Sequence, residues 1–211
     1  MMPATTLLLF LGASLIVIVS PGPDNILLLT RGLTLGRTAA LVSAAGANLG
    51  LVFHSLLAAL GLSAVLASSA AAYSAVKYAG AVYLVYIGVK ALLNRSEFLP
   101  TQQGGETIGL DRVFSQAVLS NVLNPKIAIF FLAYLPQFAS PDSGPMWPQL
   151  LSYGLLFTLL SLIVFVVLSH LSGALGGLLR SRPRIALRLN WLTGGVLVSL
   201  GLGLALSGNR R

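Results

Sequence analysis

Two short runs of this sequence place charged and hydrogen-bonding groups where the neighbouring residues are almost wholly apolar. The first is Ser20-Pro21-Gly22-Pro23-Asp24-Asn25 and the second is Asn121-Val122-Leu123-Asn124-Pro125-Lys126. Proline has no amide hydrogen and its ring clashes with the carbonyl four residues earlier, so Pro21, Gly22 and Pro23 predict one helix break and Pro125 a second. A break leaves backbone amides and carbonyls without partners in their own helix, and away from water they must bind something else. Asp24 adds a carboxylate to the first break and Lys126 an ammonium to the second. Such a pair has three chemical uses: to hold the two ends of a small zwitterion, to carry a proton, or to neutralise each other.

The amides of Asn25, Asn121 and Asn124 stand beside the charges and, with Lys126, are the candidate substrate-binding groups. Asp24 is the candidate for a coupling proton, because a buried carboxyl changes charge when its access to water changes. His54 is the second proton-coupling candidate. It follows Gly46 and Gly50 at helical spacing, with Asn48 nearby. Two uses of His54 stand side by side: a hydrogen bond to a neighbouring helix, and relay of a proton by an imidazole that titrates near neutral pH. The two glycines are expected to allow close helix packing. With no Cys, no paired His motif and one acid deep in an apolar segment, a metal site, a cofactor and an intramembrane enzyme are not expected.

The elements that position these groups follow from composition. Of 211 residues, 56% are hydrophobic and 9% charged, against roughly 25% charged in an average soluble domain. So few charges cannot cover the surface of a water-soluble fold of this length, whereas a lipid-facing surface removes the need. Six stretches are long and apolar enough to cross a bilayer, at about 4–30, 38–66, 73–93, 113–138, 149–173 and 189–207. No Lys or Arg precedes the first, and its apolar character resumes after Pro23, so it is expected to be a retained helix rather than a cleaved leader.

The net charge of +8 is divided unevenly among the connections. Arg31, Arg37, Lys90, Arg95, Arg112, Arg180, Arg182, Arg184 and Arg188 fall on one side, while Lys77, Arg210 and Arg211 fall on the other. The positive-inside rule then predicts a cytoplasmic linker and both termini outside. Basic residues set between long apolar runs serve topology, and no nucleic-acid partner is expected. Lys77 and Lys90 are expected to reach headgroups from opposite ends of the third span, His170 to be interfacial, and Arg180 to Arg188 to form a topogenic loop.

The polar linker at about 94–112, with Gln102, Gln103, Gly104 and Gly105, divides a single domain of 1–211 into repeats of about 1–93 and 113–208. Three spans per half make any repeat an inverted one, the architecture many transporters use. The expected fold is therefore an all-α membrane protein of six transmembrane helices in a three-plus-three inverted repeat, with helices 1 and 4 broken. Aligning Pro23 with Pro125 sets Asp24 opposite Lys126. Were both helices straight, the two charges would differ in depth by about 10 Å, so direct contact and separate roles both remain open.

The two proline motifs, Arg31-Gly32 and Gly36, the run Gly46 to His54, the stretch Tyr83-Leu84-Val85-Tyr86-Ile87-Gly88-Val89-Lys90-Ala91-Leu92, and Phe130-Phe131-Leu132 with Leu135-Pro136-Gln137-Phe138 together resemble the lysine exporter family. Within it they are most similar to the homoserine/threonine-resistance branch. The resemblance spans nearly the whole chain and implies proton-driven antiport that exports homoserine- or threonine-like or other neutral amino acids across a bacterial inner membrane. The competing expectation is a passive small-solute channel or a membrane scaffold. Exposed small-residue faces would permit a homodimer.

Overall fold

The computed structural model describes residues 4–63, 69–93 and 108–207. Arg95, Gln102, Gln103, Gly104, Gly105, Arg210 and Arg211 lie outside them. The described residues are helical almost throughout. In chain order the helices are α1 (Ala4–Val19), α2 (Pro23–Thr34), α3 (Arg37–Leu57), α4 (Ala70–Leu93), α5 (Leu110–Val122), α6 (Pro125–Ile129), α7 (Met146–Ser181) and α8 (Pro183–Leu206). A π-helical turn, Ala58–Leu62, extends α3, and a π turn Phe130–Tyr134 followed by a 3-10 turn Leu135–Phe138 extends α6.

Four helices are each long and apolar enough to cross a membrane, and two bent pairs raise the number to six. The first pair, Thr5–Val19 with Pro23–Thr34, bends by 52°, and the second, Leu110–Val122 with Pro125–Phe138, by 44°. Both bends fall at the proline motifs. Gly22 is fully extended and Pro23 opens α2, while extended Asn124 precedes Pro125 and caps α6. Proline suits a first helical position because the hydrogen it lacks would have had no partner there. Gly36, with a φ of 88°, makes the tight turn from α2 into α3.

The halves are interleaved rather than side by side. Helix α3 of the first half packs on α5 of the second, α7 of the second half packs on α1 and α2 of the first, and α3 meets α7. Helices α4 and α8 form a separate close pair against the end of the fourth span. A Cβ on Gly88 would lie 2.8 Å from the Gly194 carbonyl oxygen, and one on Gly201 would lie 2.8 Å from that of Ala81, so the two backbones touch.

The core is aromatic where α1, the fourth span and α7 meet. Phe10 lies 4.8 Å from Tyr153 and Phe130 lies 4.9 Å from Phe157, ring centre to ring centre. Leu8, Val82, Ile163 and Leu192 face outward, more than half exposed, as a protein surrounded by acyl chains requires.

Several boundaries differ from those expected. The first span continues to Thr34, so Arg31 sits in the last turn of α2 and bonds to Gln116 of α5. Asp111 and Arg112, counted with the linker, belong to the first turn of α5. Arg180 to Arg188 is not a loop: α7 runs for 36 residues to Ser181, Arg182 forms the corner, and Pro183 begins α8. At 1.5 Å per residue that helix is about 54 Å long, well beyond a hydrocarbon core of about 30 Å. Lys77 does not snorkel. It is fully buried, and its ammonium bonds to the Ser207 carbonyl at the C-terminus of α8, where a cation complements the helix dipole.

Candidate functional site

Each break carries one ionisable side chain, and each side chain is held by the other break. The Asp24 carboxylate, at the N-terminus of α2, accepts from Ser120 Oγ at 3.1 Å and from the amides of Asn121 and Asn124, both at 2.8 Å. The Lys126 ammonium, at the start of α6, donates to the carbonyls of Val17 at 3.0 Å and Ser20 at 2.9 Å, and to Ser20 Oγ at 3.2 Å. All three ammonium hydrogens are thereby used. Each arrangement also matches its helix dipole, with an anion in the first turn of α2 and a cation at the C-terminus of α1.

The unpaired groups of the broken helices are accounted for in the same way. Asn25 Nδ2 donates to the Ile18 carbonyl at 2.9 Å, which, with Lys126, occupies the free carbonyls at the end of α1. Asn124 Oδ1 accepts from the Lys126 backbone N–H at 3.0 Å while its amide holds Asp24. His54 Nε2 lies 3.2 Å from the Asn121 carbonyl oxygen, and the backbone N–H of Asn124 donates to the same carbonyl at 2.9 Å. Asn121 Oδ1 is buried with no hydrogen-bond partner and lies where a Cβ on Gly50 would meet it at 2.6 Å.

Asp24 and Lys126 do not form a salt bridge. Between them lies a gap of about 10 Å³, lined also by Asn25, Asn121 and Ser161 and closed by Leu51 and Phe157, about the space of one water-sized sphere. Both helices bend beside the charge, so the depth difference reckoned for straight helices does not apply.

A larger cavity, about 350 Å³, lies on the other side of the breaks. Pro21, Gly22, Pro23, Asn124, Pro125 and Lys126 form one wall, and Tyr83, Ile87 and Lys90 of α4 with Asn190 and Leu197 of α8 form the opposite one. Of the sequence-derived candidates, Asn124, Lys126 and the helix-break residues reach this cavity, Asp24, Asn25 and Asn121 face the small gap, and His54 lines neither. Ser120, Tyr83, Lys90 and Asn190 were not among them. Asn190, 3% exposed inside an apolar span, carried the same signal as Asn121. Among the described residues no group of three His, Asp or Glu is placed to hold a metal.

Gly46 and Gly50 are packing residues. A Cβ on Gly46 would lie 2.6 Å from the Phe114 carbonyl oxygen, which fixes α3 directly against α5. His170 is exposed and bonds to Arg37 through Nε2 and to the Val166 carbonyl through Nδ1.

The family model described as LysE type translocator matches residues 15–208. A membrane protein of Vibrio cholerae is 32% identical over 198 residues, covering 94% of this chain and 95% of its own. The membrane protein YrhP of Bacillus subtilis is 32% identical over 79% of this chain and 82% of its own. The homoserine/homoserine lactone efflux protein of Salmonella typhimurium is 28% identical over 93% of this chain and 94% of its own. No solved structure matches.

Proposed function

The chain belongs to the LysE type translocator family, and from that premise we propose that it exports small neutral amino acids, homoserine- or threonine-like, in exchange for protons. The membrane would be the bacterial inner membrane, with both termini outside. The two halves form an inverted repeat, and the observation that carries the proposal is the reciprocal bonding of its breaks. A buried acid and a buried base, each fixed by the partner repeat, give a site at the repeat interface that changes when either charge changes.

In the ionised state Asp24 only accepts, and it holds Ser120, Asn121 and Asn124 together. A proton on the carboxyl turns one acceptor oxygen into a donor that faces amide hydrogens. That loosens α2 from the second break and lets the cavity change its opening. Because α3 and α7 interlock the halves, a half-against-half rocking would tear the core. Movement of the α4–α8 pair over the rest breaks far less packing.

The test is Asp24→Asn in proteoliposomes. The asparagine variant is expected to fold and insert but to lose export driven by an imposed pH gradient, by about two orders of magnitude or more. Unchanged proton-driven flux would remove Asp24 from the coupling. Saturable uptake with trans-stimulation separates a carrier from a passive channel.

A further inference from the structure

The two spaces beside the breaks have different walls. Among the described residues, the cavity of about 350 Å³ and the gap of about 10 Å³ share one lining residue, Lys126. Asp24 borders the gap and not the cavity. The group read above as the proton carrier therefore faces one side of the breaks, and the space large enough for an amino acid lies on the other.

Polar side chains of four helices converge on the gap. Helix α2 supplies Asp24 and Asn25, α5 Asn121, α6 Lys126 and α7 Ser161, while Val17 and Ile18 of α1, Leu51 of α3 and Phe157 and Phe165 of α7 seal it with apolar surface. The titratable groups near Asp24 are Lys126 across the gap and His54 of α3, whose Nε2 meets the Asn121 carbonyl. The described lining residues of α1 and α7 include no titratable side chain.

Counting hydrogen bonds shows what these groups still offer. An ionised carboxylate has about four acceptor positions. In Asp24 both positions of Oδ2 are taken, by Asn121 and Asn124, and one of Oδ1 by Ser120, which leaves the second position of Oδ1. The Lys126 hydrogens point to Val17 and Ser20, so the ammonium does not fill it. Asn121 Oδ1 is buried with no hydrogen-bond partner. Ser161, 1% exposed, is the polar residue that α7 brings to the gap. One water requires about 10–15 Å³ and two to four polar partners, and the gap meets both conditions.

We infer that the gap is a proton-transfer site holding one water between Asp24 and Ser161, and that proton and substrate occupy separate spaces with Lys126 as the partition. The water donates to the fourth acceptor position of Asp24 and accepts from the Ser161 hydroxyl. An excess proton that arrives on it as hydronium crosses that hydrogen bond: an O–H bond of hydronium breaks, the carboxyl O–H bond forms, and a neutral water stays behind. Release to water is the reverse step. Ser161 acts on Asp24 through the water and is a positioning residue. The inference rests on the export reading above and adds the route of its coupling proton.

The test uses the full chain in proteoliposomes with L-homoserine as the probe. It compares export driven by an imposed pH gradient with homoserine exchange at equal pH on both sides, which requires no net proton movement. Ser161→Ala is expected to lower gradient-driven export about tenfold more than it lowers exchange. Ser161→Val, whose added methyl takes up space that the water needs, is expected to give a ratio at least as large. A purely structural serine would affect both rates together, so equal loss, or no loss in either, overturns the assignment. Infrared difference spectra of the protein in lipid give a measurement independent of flux. A carboxyl band that appears on acidification and is absent from Asp24→Asn is expected to shift in Ser161→Ala, because the hydrogen bonding of the carboxyl changes; an unshifted band overturns the assignment. Wild-type vesicles that ignore the pH gradient or move no homoserine would remove the coupled-export reading and this inference together, whereas failure confined to the Ser161 variants removes this inference alone.

Discussion

At the scale of single residues, the decisive choice is which group neutralises which. Direct contact and separate roles were both open for Asp24 and Lys126; the two do not touch, and each is solvated by the other break. An ionised group near the bilayer centre costs about 2.5 to 3.5 kcal/mol even on insertion scales, and three hydrogen bonds per charge offset that cost locally. Lys126→Met would remove the ammonium donor from the Val17 and Ser20 carbonyls and from Ser20 Oγ, leaving the Val17 carbonyl only its bond from Ser20 Oγ. It is expected to destabilise the folded protein by about 3 kcal/mol, read as a lower melting temperature in detergent. Gly22→Ala is a milder probe of the same contact. Its Cβ would lie 2.9 Å from Lys126 Nζ, so the flexible lysine end must withdraw from the carbonyls. Transport is expected to fall by about tenfold while the protein stays folded, and an unaltered flux would show that the ammonium need not be anchored there.

At the scale of elements, the breaks were legible because proline and charge are conspicuous against an apolar background. Pro23 and Pro125 mark the bends to the residue, and the six apolar stretches correspond to four helices and two bent pairs. What could not be read was which helix faces which break. Ser120 looks like any helical serine until α5 is set beside α2, and Lys90 was taken for an interfacial anchor because its distance from a span end says nothing of the cavity inside it. The extension of α7 through the basic stretch was missed for a related reason, since arginines are good helix formers as well as topology signals. Spacing did identify the Gly46–Gly50–His54 seam, and the close approach at Gly50 explains why: that backbone lies against Asn121, whose amide holds Asp24. Gly50→Val is expected to displace Asn121 and reduce both stability, by about 2 kcal/mol, and transport. Gly61→Ala, where nothing lies within 4 Å, is the control expected to change neither. Equal effects of the two substitutions in a thermal-shift and flux comparison would dissociate the seam from Asp24.

At the scale of the whole molecule, the interlocked α1–α3, α5 and α7 body and the closely packed α4–α8 pair are the two packing units, and the proposed cycle moves one over the other. The contact between Ser207 and Gln137 closes one end of their boundary, while the cavity occupies the other. Gln137→Cys with Ser207→Cys, joined by a short cleavable bifunctional thiol reagent, is expected to arrest export, and reduction of the linker to restore it. Full activity in the linked protein would mean that this end never opens. The reciprocal bonding of the breaks bears also on biogenesis. The acid of the first break finds its amide partner 100 residues later in the chain, so at common ribosomal speeds a nascent polypeptide carries an unsolvated carboxylate in lipid for about 5 to 20 s before its donor network exists. Any insertion machinery must shelter that early hairpin until the fourth span emerges, and a chain truncated before it would be left as a substrate for membrane quality control.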